Sequence, residues 1–252
     1  MVSTLSHALA RWVDRLAPRC RRPALGAVGL YVTGSACTGG FHAGVSDLDL
    51  VMVVNSAVEA SDLEQLAVDL LEVGLPPAAG GLDLEIFTRS GLQQPDPDPG
   101  WRSFVRWTAE GAPALLGDAL DLADWAPELA IARERAITVF GPTAPEAFAP
   151  IPRRLILQAC REELAGWEHY QPFWSLSGGV LTACRVWWYW AEARLGSKVD
   201  AGRWALGLAE EDEDRRLIGS ALERQLTGQD SDLAPADVIA FVRRAAGRVA
   251  AA

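Results

Sequence analysis

A chain of 252 residues, half of them hydrophobic, is long enough for one large domain or two small ones and has ample material for a packed core. A formal net charge of −10 argues against a duplex nucleic-acid binder, which carries a basic footprint, and mildly favours a cationic substrate. No apolar run approaches the ~20 residues of a membrane helix, and the first residues hold no signal-peptide core, so a cytoplasmic monomer with no nucleic-acid or membrane partner is expected.

In chain order, residues 3–17 place Leu5, Leu9, Trp12, Val13 and Leu16 on one helical face. The stretch from Pro18 to Pro23 should break that helix. Residues 27–33 read as a first strand, 34–46 as a turn carrying a short helix from near Ser35, and 48–54 as a second strand. Ser61 and Glu64 have the spacing of a capping box and should open a helix running to about Glu72. Residues 82–88 alternate apolar and acidic side chains, the signature of a third strand. Pro95 to Gly100 is an extended, helix-breaking loop. From Trp101 onward the pattern reads as helical. Helices are predicted to about Leu116, from Pro127 to about Val139, from Pro152, over 179–195, and near 198–208, 213–226 and 235–249. The fold class is α+β: a small mixed sheet with helices over residues 1–150, then an α-helical bundle over 151–252.

Candidate chemistry concentrates in the first part. Gly34-Ser35 opens a glycine-rich, hydroxyl-bearing turn just ahead of Asp47 and Asp49. Side chains two apart on a strand share a face, so two carboxylates meet a turn able to approach a polyphosphate. Such oxygen donors suit Mg²⁺. Asp83 and Glu85 form a second acidic pair on the third strand, and beside the first pair they would complete a set of metal ligands and a base. Cys20, Cys37, Cys160 and Cys184 lack C-x-x-C spacing and read as buried free thiols.

The run Gly34-Ser35…Ser46-Asp47-Leu48-Asp49 resembles the Gly-Ser…Asp-x-Asp signature of the polymerase-β-like nucleotidyltransferase superfamily. Gly81-Leu82-Asp83-Leu84, Phe140-Gly141-Pro142, Leu181-Thr182-Ala183-Cys184-Arg185 and Lys198-Val199-Asp200-Ala201-Gly202-Arg203-Trp204-Ala205 follow in the order seen in aminoglycoside 3''-O-adenylyltransferases. That resemblance implies a Mg-ATP-dependent transfer of AMP to a hydroxyl of a spectinomycin- or streptomycin-type antibiotic, with loss of pyrophosphate. Asp47, Asp49 and Asp83 would serve two Mg²⁺ ions. The general base would be Asp83, from the Gly-Leu-acid-Leu frame, or Glu85, from a literal Leu-Glu match. Gly34, Ser35, Ser46, Arg185 and Lys198 would hold the nucleotide with Asp47 and Asp49. Trp107, Glu168 and Trp174 would face the acceptor, in a cleft between the two domains. Glu168 is the only acid where the family carries several. Two other readings stay open: the same chemistry on another hydroxylated metabolite or a protein side chain, and a nucleotide-binding module that no longer catalyses.

Overall fold

The computed structural model describes residues 5–94, 100–108, 111–116, 122–167, 175–229 and 232–250. The chain divides into two compact units, Met1–Pro152 and Arg153–Ala252.

The first unit opens with helix α1 (His7–Cys20), a 3-10 turn at Pro23–Leu25 and strand β1 (Ala27–Val32). Short helix α2 (Gly34–Thr38), strand β2 (Leu48–Val54), helix α3 (Ala60–Val73) and strand β3 (Gly81–Thr88) come next. Helix α4 (Arg89–Gln93), strands β4 (Arg102–Thr108) and β5 (Ala114–Leu115), helix α5 (Leu122–Arg135), strand β6 (Ile137–Phe140) and helix α6 (Ala144–Ala147) complete it. The strands lie in the order β5-β4-β3-β2-β1-β6. The β2–β3 pair is parallel and the other neighbours are antiparallel. A parallel pair needs a crossover, which α3 provides.

One face of this sheet is apolar. Leu30, Val32, Leu50, Met52, Leu82, Leu84, Ile86 and Val105 form one buried cluster with Leu9, Trp12 and Leu16 of α1 and Leu63, Leu66 and Leu70 of α3. Trp12 fastens the two helices by donating its indole N–H to the Gly74 carbonyl, 2.7 Å away. The opposite face carries the acids.

Four local expectations need correction. Helix α1 runs through Pro18 to Cys20, because Ala17 and Cys20 are buried and their packing outweighs one missing backbone bond. Helix α3 starts at Ala60 with Glu59 at its N-cap, and Ser61 lies exposed inside the first turn. The segment after Trp101 is strand β4, not a helix. Ser103, Val105 and Trp107 turn to the core and Arg102, Arg106 and Thr108 outward, but the burial of Phe104 breaks the visible alternation. The helix from Pro127 in fact begins at Leu122 and stops at Arg135, and Ile137-Thr138-Val139-Phe140 becomes an edge strand on β1.

The second unit is helical: α7 (Arg153–Trp167), α8 (Leu176–Glu192), α9 (Lys198–Leu208), α10 (Asp212–Thr227) and α11 (Pro235–Ala250). Helix α8 packs against α7, α9, α10 and α11. It is apolar almost all round, with Val180, Leu181, Ala183, Cys184, Val186, Trp188 and Tyr189 buried, as a central helix must be. Asp214 of α10 is fully buried and accepts from Arg244 (2.7 and 3.0 Å) and Arg248 (2.9 Å) of α11. The Arg248 guanidinium also lies over the Trp187 ring, so one buried charge cluster joins three helices. Among the described residues no helix is long and apolar enough to cross a membrane.

Candidate active site

Directly paired residues in a sheet share a face, so the register decides which side chains meet. Asp49 of β2 pairs with Asp83 of β3, and Asp83 with Arg106 of β4. These three form one row on the face away from the α1–α3 core. The next row holds Tyr31, Val51, Glu85 and Phe104.

The turn after β1 is shaped around Asp49. Gly34 has φ +57°, and a Cβ there would lie 1.8 Å from Oδ2 of Asp49. Only glycine leaves room for that carboxylate. The Ser35 backbone N–H donates to Asp49. The Ser35 hydroxyl is closed off from solvent and has no hydrogen-bond partner among the described residues. An unsatisfied buried hydroxyl is costly, and here it marks a place for a polar ligand.

Asp47 is exposed, just before β2, and leans the other way, toward the start of β3. A Cβ on Gly81 would come within 2.8 Å of its Oδ1. The loop holding Asp47 is tied down by backbone bonds from Gly44 to Ala78 (2.8 Å) and from Gly80 to Ser46 (2.9 Å). The Ser46 hydroxyl accepts the His42 N–H at 3.0 Å, which gives it a turn-capping contact.

Negative charge accumulates here. Burial pushes the Asp49 carboxyl up to about 8, and Asp83, Glu128 and Asp47 add to the effect in that order. The Ser35 N–H works in the other direction. Glu128 was not singled out from the sequence. It sits on α5, which packs against α2, and nothing local distinguishes it from a solvated helix acid. The same field acts on Cys37, whose buried thiol is pushed up to about 12 by burial, then by Glu128 and Asp49. That thiol is inert, not nucleophilic. All four cysteines are free and buried.

Asp83 is held by its neighbour. Arg106 donates through Nε to Oδ1 at 3.0 Å and through Nη2 to Oδ2 at 2.9 Å. Glu85 is half-buried one row deeper, with its Oε2 closed off from solvent.

Trp107 does not join the carboxylates. It pairs with Leu82 and so points into the α1–α3 core, where it is buried and donates its indole N–H to Gly111 O at 2.9 Å. The register that turns Asp83 and Arg106 toward the acid face turns Trp107 away, which corrects its expected contact with the acceptor. Glu168 and Trp174 lie outside the described residues. Arg185 is half-buried on α8, close enough to Cys160 to pull that thiol's affinity for protons down against burial. Lys198 is the first residue of α9. Asp200, in the first turn of the same helix, accepts from the Ser197 hydroxyl at 2.8 Å and gives that helix end an acidic cap.

Among the described residues no three Asp, Glu, His or Cys side chains close into a metal cage. The donor set still fits Mg²⁺, which rarely uses an all-protein cage. It takes one or two carboxylates, keeps several waters and shares substrate phosphates.

A mixed sheet with paired carboxylates at a Gly-Ser turn, followed by a helical unit, defines a nucleotidyltransferase. A spectinomycin adenyltransferase from Enterococcus faecialis, solved with ATP and spectinomycin, has this fold: the TM-score is 0.76, covering 95% of this chain and 98% of that one at 17% identity. The family model described as the C-terminal domain of aminoglycoside adenylyltransferase matches residues 146–248. An aminoglycoside (3'') (9) adenylyltransferase of Klebsiella pneumoniae is 30% identical over 195 residues, covering 73% of this chain and 72% of its own length. A spectinomycin 9-adenylyltransferase of Staphylococcus aureus is 27% identical over 192 residues, covering 72% and 71%. The chain belongs to the aminoglycoside (3'') (9) adenylyltransferase family. It is an enzyme, an adenylyltransferase.

Proposed function

We propose that this enzyme transfers AMP from ATP to a hydroxyl of a spectinomycin- or streptomycin-type antibiotic and releases pyrophosphate. The observation that supports this chemistry best is the Asp49–Asp83 row packed against a turn in which Gly34 makes room for Asp49. The acceptor class rests on the relatives, whose names give aminoglycosides and spectinomycin as substrates.

Asp49 and Asp47 are assigned to Mg²⁺, two ions in all, with Asp83 beside them. When bound, the metal neutralises the triphosphate and polarises the phosphorus under attack. The Ser35 hydroxyl donates to a phosphate oxygen. Ser46 keeps the turn in shape, and Arg185 and Lys198 are assigned to the nucleotide as cations. Asp83 takes the proton from the acceptor hydroxyl, whose oxygen then bonds to the α-phosphorus as the bond to pyrophosphate breaks. Asp83 is preferred over Glu85 because it shares a row with Asp49, whereas Glu85 shares one with Val51.

Two outcomes test these assignments. Asp83→Asn is expected to slow single-turnover AMP transfer by ~10²–10⁴-fold, and Glu85→Gln by far less. The reverse ranking would move the base to Glu85. Gly34→Ala should displace the Asp49 carboxylate and cost about 100-fold in pyrophosphate release, the scale of a 1 Å misplacement. A variant as fast as the wild type would remove Asp49 from the reaction.

A further inference from the structure

Arg106 has no place in the scheme so far, yet it makes the best-defined contact in the acid row. Its guanidinium meets both oxygens of Asp83, at 3.0 and 2.9 Å, in the parallel two-bond geometry that fixes a carboxylate plane. The cation is itself held from below. Phe104, two residues earlier and on the same face of β4, lies under it at 4.9 Å. Asp83 is thereby flanked by Asp49 on one strand and Arg106 on the other. The guanidinium side chain is half-exposed, whereas Asp83 keeps 18% of its surface, so the pair lies at the mouth of the site and not in the core. Surface pairs of this kind contribute little to stability. The geometry therefore calls for another explanation.

We infer that Arg106 is a positioning residue, which draws Asp83 off the metal-binding pair and presents its carboxylate, fixed in plane, to the acceptor hydroxyl. This rests on the assignment of Asp83 as base. An aspartate beside two other carboxylates has two possible uses, as a further metal ligand or as a free base. The clamp from β4 selects the second. A carboxylate locked in one orientation also loses less reactivity to mobility. Each Asp83 oxygen accepts one N–H from the guanidinium and keeps a second lone pair for the proton.

The test uses the full-length enzyme and two substitutions, Arg106→Gln and Arg106→Lys. Mn²⁺ alone is titrated and followed by electron paramagnetic resonance, and single-turnover AMP transfer is measured separately. With Arg106→Gln, Asp83 is released to the metal, so Mn²⁺ should bind about tenfold more tightly, while transfer slows ~10–100-fold and KM for ATP stays within about twofold. Arg106→Lys keeps the charge and loses the two-bond geometry, so Mn²⁺ binding should stay near wild type while transfer still slows. Unchanged Mn²⁺ affinity in Arg106→Gln, unchanged transfer in it, or full-rate transfer in Arg106→Lys would each overturn the inference. In an Asp83→Asn background, Arg106→Gln should cost no further rate, and an additional loss would show that Arg106 acts elsewhere. The wild-type control separates this inference from the reading beneath it. A wild type that neither binds Mn²⁺ nor transfers AMP refutes the proposed chemistry, whereas a normal wild type with indifferent variants refutes only the role of Arg106.

Discussion

Asp49→Asn is expected to abolish AMP transfer and, in the same protein, to stabilise the metal-free fold. The loss of rate follows from removing a carboxylate that Mg²⁺ needs: about 10³-fold, the rate equivalent of the several kcal/mol a bound divalent ion supplies. The gain in stability follows from crowding, because Asp49 faces Asp83, Glu128 and Asp47 in a half-buried site that pushes its carboxyl from 3.8 to about 8. The sign is fixed by linkage. A carboxyl whose folded-state value is raised makes the folded chain bind more protons than the unfolded one between these limits. Its contribution is full below pH 3.8 and is lost as pH rises through about 8. Thermal melts with a chelator present should therefore fall between about pH 4 and pH 8 in the wild type, and fall less in Asp49→Asn. Added Mg²⁺ should recover wild-type stability at the upper end and leave the variant unchanged. Equal slopes in the two proteins would show that the acids are not crowded.

The second large effect lies far from any chemistry. Asp214→Ala is expected to destabilise the helical unit by about 3–5 kcal/mol, because it removes the fully buried acceptor shared by Arg244 and Arg248 and leaves Arg244 only the more distant Glu213, 3.8 Å away. Urea denaturation followed by tryptophan fluorescence measures it. Replacing all three groups together, as in Asp214→Leu with Arg244→Met and Arg248→Leu, should recover most of the loss, since apolar packing can stand in for a buried ion cluster. A single Asp214→Ala change that leaves the midpoint in place would mean that water reaches this cluster. Arg248 lies over Trp187, so a change in fluorescence at low urea should accompany the substitution.

The parts of this fold that were legible in the sequence were those written as local patterns. Asp83 stood on a strand with clean period-two neighbours, Asp49 stood at the start of an apolar strand with Asp47 just before it, and the helices of the second unit carried long apolar stripes. Strand β4 was not legible, because Phe104 faces the acid side yet is buried, so the segment showed no alternation. The orientation of Trp107 depends on pairing with Leu82, and a single-residue change in register would have turned it to the other face. Glu128 and Arg106 joined the site through tertiary structure alone, one by the packing of α5 on α2 and the other by strand order. No spacing in the chain connects either of them to Asp49. Gly34 lies between these cases. The motif singled it out, and the geometry adds a reason that the sequence does not show, the room it leaves for the carboxylate of Asp49.

The most direct measurement is the mass of spectinomycin and of streptomycin after incubation with the purified enzyme, Mg²⁺ and ATP. The account predicts one AMP gained by at least one of the two drugs, with one pyrophosphate released per drug modified and neither product formed by Asp49→Asn. Both drugs recovered at their original mass beside intact ATP would contradict it.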